Sequence, residues 1–253
     1  MLENYLKDRL KEKDILLMTH IVIGYPSFES SFQILRAMVD AGVDLMELQI
    51  PFSEPIADGP TILKANQEVL AAGARVDQCL DFASRAAGIV DIPLLFMTYY
   101  NILHSYGVSS FAGEMGRIGM KGAIVPDLPP EEGGDYLAAM AEHRLSPIFI
   151  FSPTTTEQRM RLIATHGRGF IYCVARKGVT GQQTDFSDAL DGYLSRCRRA
   201  TELPLAMGFG VRDRSDVDFL KGKVDIAVIG TEVIRLVDRE GVGSVGRFIR
   251  GLR

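Results

Sequence analysis

PIFIFSPTTTEQRMRLIATHGRGFIYCV, from Pro147 to Val174, shows the alternation that sets the fold. Its ends, PIFIF (Pro147 to Phe151) and FIYCV (Phe170 to Val174), are apolar runs too short for helices and bounded by Pro, Gly or polar residues. Strands buried on both faces read this way. Between them, Thr156 to His166 has helical spacing. The same unit recurs outward in both directions. Before it lie LLMTHIV (Leu16 to Val22), DLMELQI (Asp44 to Ile50), PLLFMTY (Pro93 to Tyr99) and GAIVP (Gly122 to Pro126); after it lie PLAMG (Pro204 to Gly208) and DIAVIG (Asp225 to Gly230). Helical patterns cover Ser27 to Ala41, Val76 to Gly88, a segment opened by Pro130-Glu-Glu, Ser187 to Ala200, Asp213 to Leu220 and Gly241 to Leu252. Eight strand–helix repeats in 253 residues predict an α/β fold, a closed (β/α)8 TIM barrel forming one domain over residues 1–253. An extra N-terminal helix, Leu2 to Lys13, precedes the first strand and is expected to cap the barrel's bottom.

Composition narrows the function. A net charge of −4 lacks the basic excess of a nucleic-acid binder. The charged start MLENYLKDRLKEKD is unlike a signal peptide, and no apolar run is long enough for a membrane span. Cys79, Cys173 and Cys197 are too widely spaced for a metal pair or a disulfide framework. A cytoplasmic protein is expected. His20, His104, His143 and His166 show no metal-ligand spacing, and none is assigned to catalysis; His20 is left facing either way.

Two connections are long or Gly-rich: PFSEPIADGPTILKANQ after Ile50 and ARKGVTGQQTDFSD after Val174. Both follow strand C-terminal ends, where barrels carry their active-site loops. Within DLMELQI, the two-residue period puts Glu47 on one face with Leu45 and Gln49, and Met46, Leu48 and Ile50 on the other. The apolar triplet suits the outer helices, so Glu47 points into the barrel mouth. There it is either a general acid/base whose pKa is raised by burial or half of a structural ion pair. Asp58, in ADGP, taken alone reads as a turn former. Its loop follows the Glu47 strand, so both carboxylates can reach one mouth and divide acid and anchoring roles. Late in the chain, GVTG (Gly178 to Gly181), GFG (Gly208 to Gly210) and IGTE (Ile229 to Glu232) place glycine after strands 6, 7 and 8. That pattern favours a backbone phosphate grip over simple tight turns.

These segments together resemble the tryptophan synthase alpha subunit family. The resemblance rests on PFSEPIADGP after MELQI, YYN (99 to 101), IVPDLPPEE (124 to 132), SPTT (Ser152 to Thr155), GFIYCVARKGVTG and GFGVRD (Gly208 to Asp213), in the family's order. It implies retro-aldol cleavage of indole-3-glycerol phosphate to indole and glyceraldehyde 3-phosphate. By the same resemblance Glu47 is the acid/base, and Asp58 binds the indole N–H and steadies the cationic tautomer. Tyr172 stands near the glutamate, and Thr180 on the mobile loop orients Asp58. Gly181, Gly210, Gly230 and Thr231 hold the phosphate, and Tyr99 and Ile62 are candidates for the walls around the indole. The resemblance further implies a beta subunit carrying pyridoxal phosphate, in an alpha2-beta2 complex. It would contact loop 51 to 60 and the segments Asn101 to Tyr106 and Asp127 to Glu132. The alpha chain itself would need no cofactor or metal.

The sequence departs from the family pattern at three places. Gln49 stands where glycine is common, beside Glu47, and is expected to reshape the pocket. Glu54 replaces the usual Asp in PFSDP, and Thr231-Glu232 replaces a small Ser-Ala type pair at the phosphate end. Three other functions remain: a stand-alone indole-glycerol phosphate lyase, a mainly regulatory barrel with weakened catalysis, and another phosphate-binding barrel such as a sugar-phosphate epimerase.

Overall fold

The computed structural model describes residues 1–174, 188–208 and 210–253. The apolar runs become strands β1 (Leu16–Val22), β2 (Leu45–Gln49), β3 (Leu94–Met97), β4 (Gly122–Ile124), β5 (Ser146–Phe151), β6 (Ile171–Val174), β7 (Leu205–Gly208) and β8 (Ile226–Ile229). Each pairs in parallel with the next, and β8 pairs with β1, so the sheet closes as the alternation predicts.

The helices are α1 (Leu2–Leu10), α2 (Phe28–Asp40), α3 (Pro60–Ala71), α4 (Val76–Ala87), α5 (Tyr100–Tyr106), α6 (Val108–Ile118), α7 (Gly134–Glu142), α8 (Glu157–His166), α9 (Asp188–Ala200), α10 (Arg214–Leu220), α11 (Thr231–Glu240) and α12 (Val245–Gly251). Side-chain oxygens of Ser27, Thr156 and Asp213 accept backbone N–H bonds at the starts of α2, α8 and α10, which fixes where those helices begin. Among the described residues no helix is long and apolar enough to cross a membrane.

Several boundaries differ from the sequence expectation, among them the end of α1, which stops at Leu10 and not at Lys13. The long connection after Ile50 ends at Pro60, where α3 starts with proline in its first turn, a position that needs no N–H. Pro130 does not open a helix: the carbonyls of Pro129 and Pro130 accept from Glu132 and Gly133 in successive turns, and α7 begins at Gly134. Between Gly241 and α12, residues Val242–Ser244 form a 3-10 turn.

Two apolar layers result. Met46, Leu48 and Ile50 belong to the outer layer, between strands and helices, while Leu45 belongs to the inner one. Glu47 and Gln49 therefore face the barrel interior, as the period predicts. The inner layer also contains Leu16, Met18, Leu95, Ile148, Phe170 and Ile226, together with Leu2 and Leu6 from α1. Helix α1 thus plugs the bottom of the barrel. Its fit explains Gly169: a Cβ there would lie 2.8 Å from a Leu2 methyl, on a backbone at φ +81°. At the same end the buried Asp44 carboxylate accepts from Lys13 (2.5 Å), Arg253 (2.7 Å), Arg9 (3.2 Å) and the Leu17 N–H (2.9 Å). Lys13, near the start of the chain, and Arg253, at its end, are both tied there.

Candidate active site

The C-terminal ends of the strands surround a cavity, at the end of the barrel where such folds bind their small-molecule ligands. Ile62, Met97, Ile124, Ile150 and Val228 give it apolar walls, and His20, Glu47, Asp58 and Tyr172 give it polar ones. Gly208, Gly210, Gly230 and Thr231 close one side.

Glu47 is 4% exposed. Burial raises its pKa to about 8, helped by the charge of Asp58 and opposed by a hydrogen bond from Tyr172. Among the described residues it forms no ion pair with a Lys or Arg; its partner is the Tyr172 hydroxyl. At neutral pH Glu47 is therefore mostly a neutral acid, a carboxyl that can give a proton. Tyr172 reaches it from β6 by lying across β7. A Cβ at position 208 would come within 2.6 Å of the Tyr172 oxygen, so Gly208 is there to admit the phenol. The sequence had suggested a different part for the Gly208 to Gly210 segment, in gripping phosphate.

Asp58 is 8% exposed, in the loop between β2 and α3. Its Oδ2 accepts from Gln49 Nε2 at 2.6 Å and from the Tyr99 hydroxyl at 3.0 Å. Burial raises its pKa to about 6, and these two donors limit the rise. The two acids thus sit in one cavity with different proton affinities, Asp58 ionising first. Tyr99 stacks on Phe52 with ring centres 5.0 Å apart, and its oxygen also accepts from the Ala57 N–H at 3.2 Å. It is absent from the cavity's lining. Expected as an apolar wall, it instead holds the Asp58 loop through its hydroxyl. Ile62 does line the cavity, from the first turn of α3.

At the far side, Gly230 caps α11 and Thr231 is its first residue, 7% exposed. The N–H groups of a helix's first turn lack intrahelical partners, so this end offers donors to an anion. Gly210 stands beside it at φ +73°. Glu232 turns away: it pairs with Arg235 at 3.7 Å and does not line the cavity. Its charge is thereby kept off the donors. Thr180 and Gly181 lie outside the described residues.

One polar member of the site was not singled out in the sequence. His20 is 3% exposed, and its Nε2 lies 2.8 Å from Gln49 Oε1. The signal was present: Leu16, Met18 and His20 share one strand face, and both apolar members lie in the inner layer.

A model of the tryptophan synthase alpha chain family matches residues 6–245. The chain belongs to this family. It is 64% identical over 253 residues, covering all of both chains, to the tryptophan synthase alpha chain of Syntrophotalea carbinolica. It is 64% identical over 252 residues, again covering both chains fully, to that of Desulforapulum autotrophicum. Its fold matches a chain of Mycobacterium tuberculosis tryptophan synthase with a TM-score of 0.93, at 31% identity, over 99% of this chain and 96% of that one. A tryptophan synthase alpha chain is an enzyme of tryptophan biosynthesis, and its TIM barrel is the architecture found here.

Proposed function

We propose that the chain cleaves indole-3-glycerol phosphate into indole and glyceraldehyde 3-phosphate, with Glu47 as acid/base and Asp58 as charge stabiliser, in one barrel domain over residues 1–253. The observation that carries the reading is the pair of buried carboxyls, raised to about 8 and about 6, facing one apolar cavity. Glu47, neutral, gives its proton to C3 of the indole ring. The ring becomes a cation whose N–H is held by ionised Asp58. Glu47, now a carboxylate, takes the proton of the hydroxyl on the carbon attached to C3. The bond between that carbon and C3 breaks, and its electrons return to the ring. Indole and an aldehyde result, and Glu47 ends protonated as it began. Tyr172 keeps its proton, because burial and the two carboxylates push its pKa well up, and so it remains a donor to Glu47.

The phosphate is assigned to Gly210, Gly230 and Thr231, with Gly181 completing the grip and Thr180 orienting Asp58. The class of reaction is carbon–carbon lysis, and this chain's part in it uses no cofactor or metal. We assign the cytoplasm as its compartment. The partner is a beta chain holding pyridoxal phosphate, in an alpha2-beta2 assembly. Ile56, 71% exposed, and Tyr106, 41% exposed, lie within the contact segments assigned to that partner.

The test is to incubate the chain with indole-3-glycerol phosphate, with and without a beta chain, and quantify both products. Equimolar indole and glyceraldehyde 3-phosphate, formed slowly alone and faster with the partner, is the expected result. Rapid release unaffected by the partner supports the stand-alone lyase instead. No product under either condition overturns the reaction.

A further inference from the structure

The cleavage chemistry leaves two buried polar side chains next to Asp58 unused, His20, which lines the cavity, and Gln49. They form a line ending on Asp58: His20 Nε2 to Gln49 Oε1 at 2.8 Å, then Gln49 Nε2 to Asp58 Oδ2 at 2.6 Å. A carboxamide carries its donor and acceptor on different atoms, so a partner at each end fixes which way it points. Ionised Asp58 only accepts. Gln49 must then turn its NH2 to Asp58 and its oxygen to His20, and His20 must carry its proton on Nε2. Burial supports a neutral ring, pushing the His20 pKa down to about 4. The other nitrogen, Nδ1, has no hydrogen-bond partner among the described residues. A phenyl ring would occupy this place without burying an unpaired nitrogen. What the imidazole adds over a phenyl ring is its bond to Gln49.

We propose that His20 and Gln49 are positioning residues, a relay across β1 and β2 that fixes the direction of the Asp58 carboxylate and so the place where the substrate's indole N–H is held. This rests on the role of Asp58 proposed above. The strand register supports it: His20 pairs with Glu47 and Val22 with Gln49, so His20 and Gln49 are diagonal neighbours on adjacent strands facing the interior. Both are fixed by the barrel, whereas Asp58 sits on a loop. The relay ties the loop acid to the rigid strands. Tyr99 performs the same service from beyond β3. Among the described residues, the titratable groups facing Asp58 are Glu47 from β2, Tyr99 from beyond β3, Tyr172 from β6 and, through Gln49, His20 from β1.

The test compares cleavage kinetics of the wild-type chain with His20→Phe, Gln49→Leu, the double variant, His20→Gln and Asp58→Asn, all in one partner condition. His20→Phe and Gln49→Leu are each expected to lower kcat about three- to tenfold, the worth of one lost hydrogen bond, with KM nearly unchanged. The double variant is expected to be no worse than Gln49→Leu, because the two act as a unit. The acid limb of kcat moves to higher pH in Gln49→Leu, where Asp58 loses a donor that favours its ionised form, and by less in His20→Phe, where that donor remains but its direction is no longer fixed. His20→Gln, which restores an N–H, recovers most of the rate. Wild-type kcat in both single variants, multiplicative losses in the double variant, or a change confined to KM overturns the relay. Wild-type kcat in Asp58→Asn removes the proposed role of Asp58 itself. An inactive Asp58→Asn beside a fully active His20→Phe removes the relay alone. Should a variant not fold, ¹⁵N shifts of His20 in the wild-type chain still decide: the relay requires the Nε2–H tautomer, and an Nδ1–H tautomer contradicts it.

Discussion

Glu47→Gln is expected to leave a folded barrel and to lower cleavage by roughly 10²–10⁴-fold, the span for loss of a positioned acid/base. Glutamine matches glutamate in shape, and its carbonyl still accepts from the Tyr172 hydroxyl, so packing at the mouth is kept. What it lacks is a proton for the indole carbon and, afterwards, a base for the side-chain hydroxyl. Stability should move the other way. A buried acid whose folded pKa lies near 8, against a usual value of 4.5, binds its proton more tightly in the folded state. Below the usual value it costs the fold no ionisation; as pH rises towards about 8 the unfolded chain is increasingly favoured by losing that proton. The strain amounts to roughly 3 kcal/mol at neutral pH. Glutamine has no proton to lose, so the variant is expected to melt no lower than the wild type at pH 7 and to gain on it towards about pH 8. Substantial residual turnover by a folded Glu47→Gln chain takes the acid/base role away from this residue.

Asp58→Asn is expected to cut turnover by roughly 10²–10³-fold, as removal of a preorganised electrostatic partner does. The amide carries no charge to balance the protonated indole ring. Its orientation makes matters worse. Gln49 Nε2 and the Tyr99 hydroxyl both donate to the position now held by Oδ2. An asparagine oxygen placed there leaves its NH2 on the other side, where it meets the indole N–H donor to donor. A second consequence separates this from simple misfolding. The charge of Asp58 helps hold the Glu47 pKa up at about 8. Without it the Glu47 pKa should fall, and the alkaline limb of any residual activity should move to lower pH. Wild-type turnover and an unmoved alkaline limb would reduce Asp58 to a loop-forming residue.

The strands were legible because most of their residues are buried on both faces and so read as short, largely apolar runs. Glu47 was legible because a two-residue period in a strand leaves only two choices of face, and Met46, Leu48 and Ile50 took one of them. Asp58 taken alone read as a turn residue, and only its loop's place after the Glu47 strand brought it to the same mouth; its partners Gln49 and Tyr99 were not readable, since they reach it from other elements. Helices α5 and α6 escaped notice because Gly107, at φ 93°, interrupts them and α5 is short. The spacing of Phe111, Ala112, Met115 and Ile118 was helical all the same. The Tyr99 hydroxyl, the Gly208 vacancy for Tyr172 and the His20–Gln49 line all depend on how neighbouring strands stand in register. A single strand's pattern does not carry that information.

The pH dependence of kcat/KM for indole-3-glycerol phosphate tests the central claim most directly, that Glu47 acts as an acid held neutral by its surroundings. The substrate's own phosphate also titrates on the acid side, so the alkaline side is decisive. Activity is predicted to hold between about pH 6, where Asp58 becomes ionised, and about pH 8, then to fall as Glu47 loses its proton. A rate that stays level well above pH 8, or that falls away below neutrality as an ordinary carboxylic acid ionises, would contradict it.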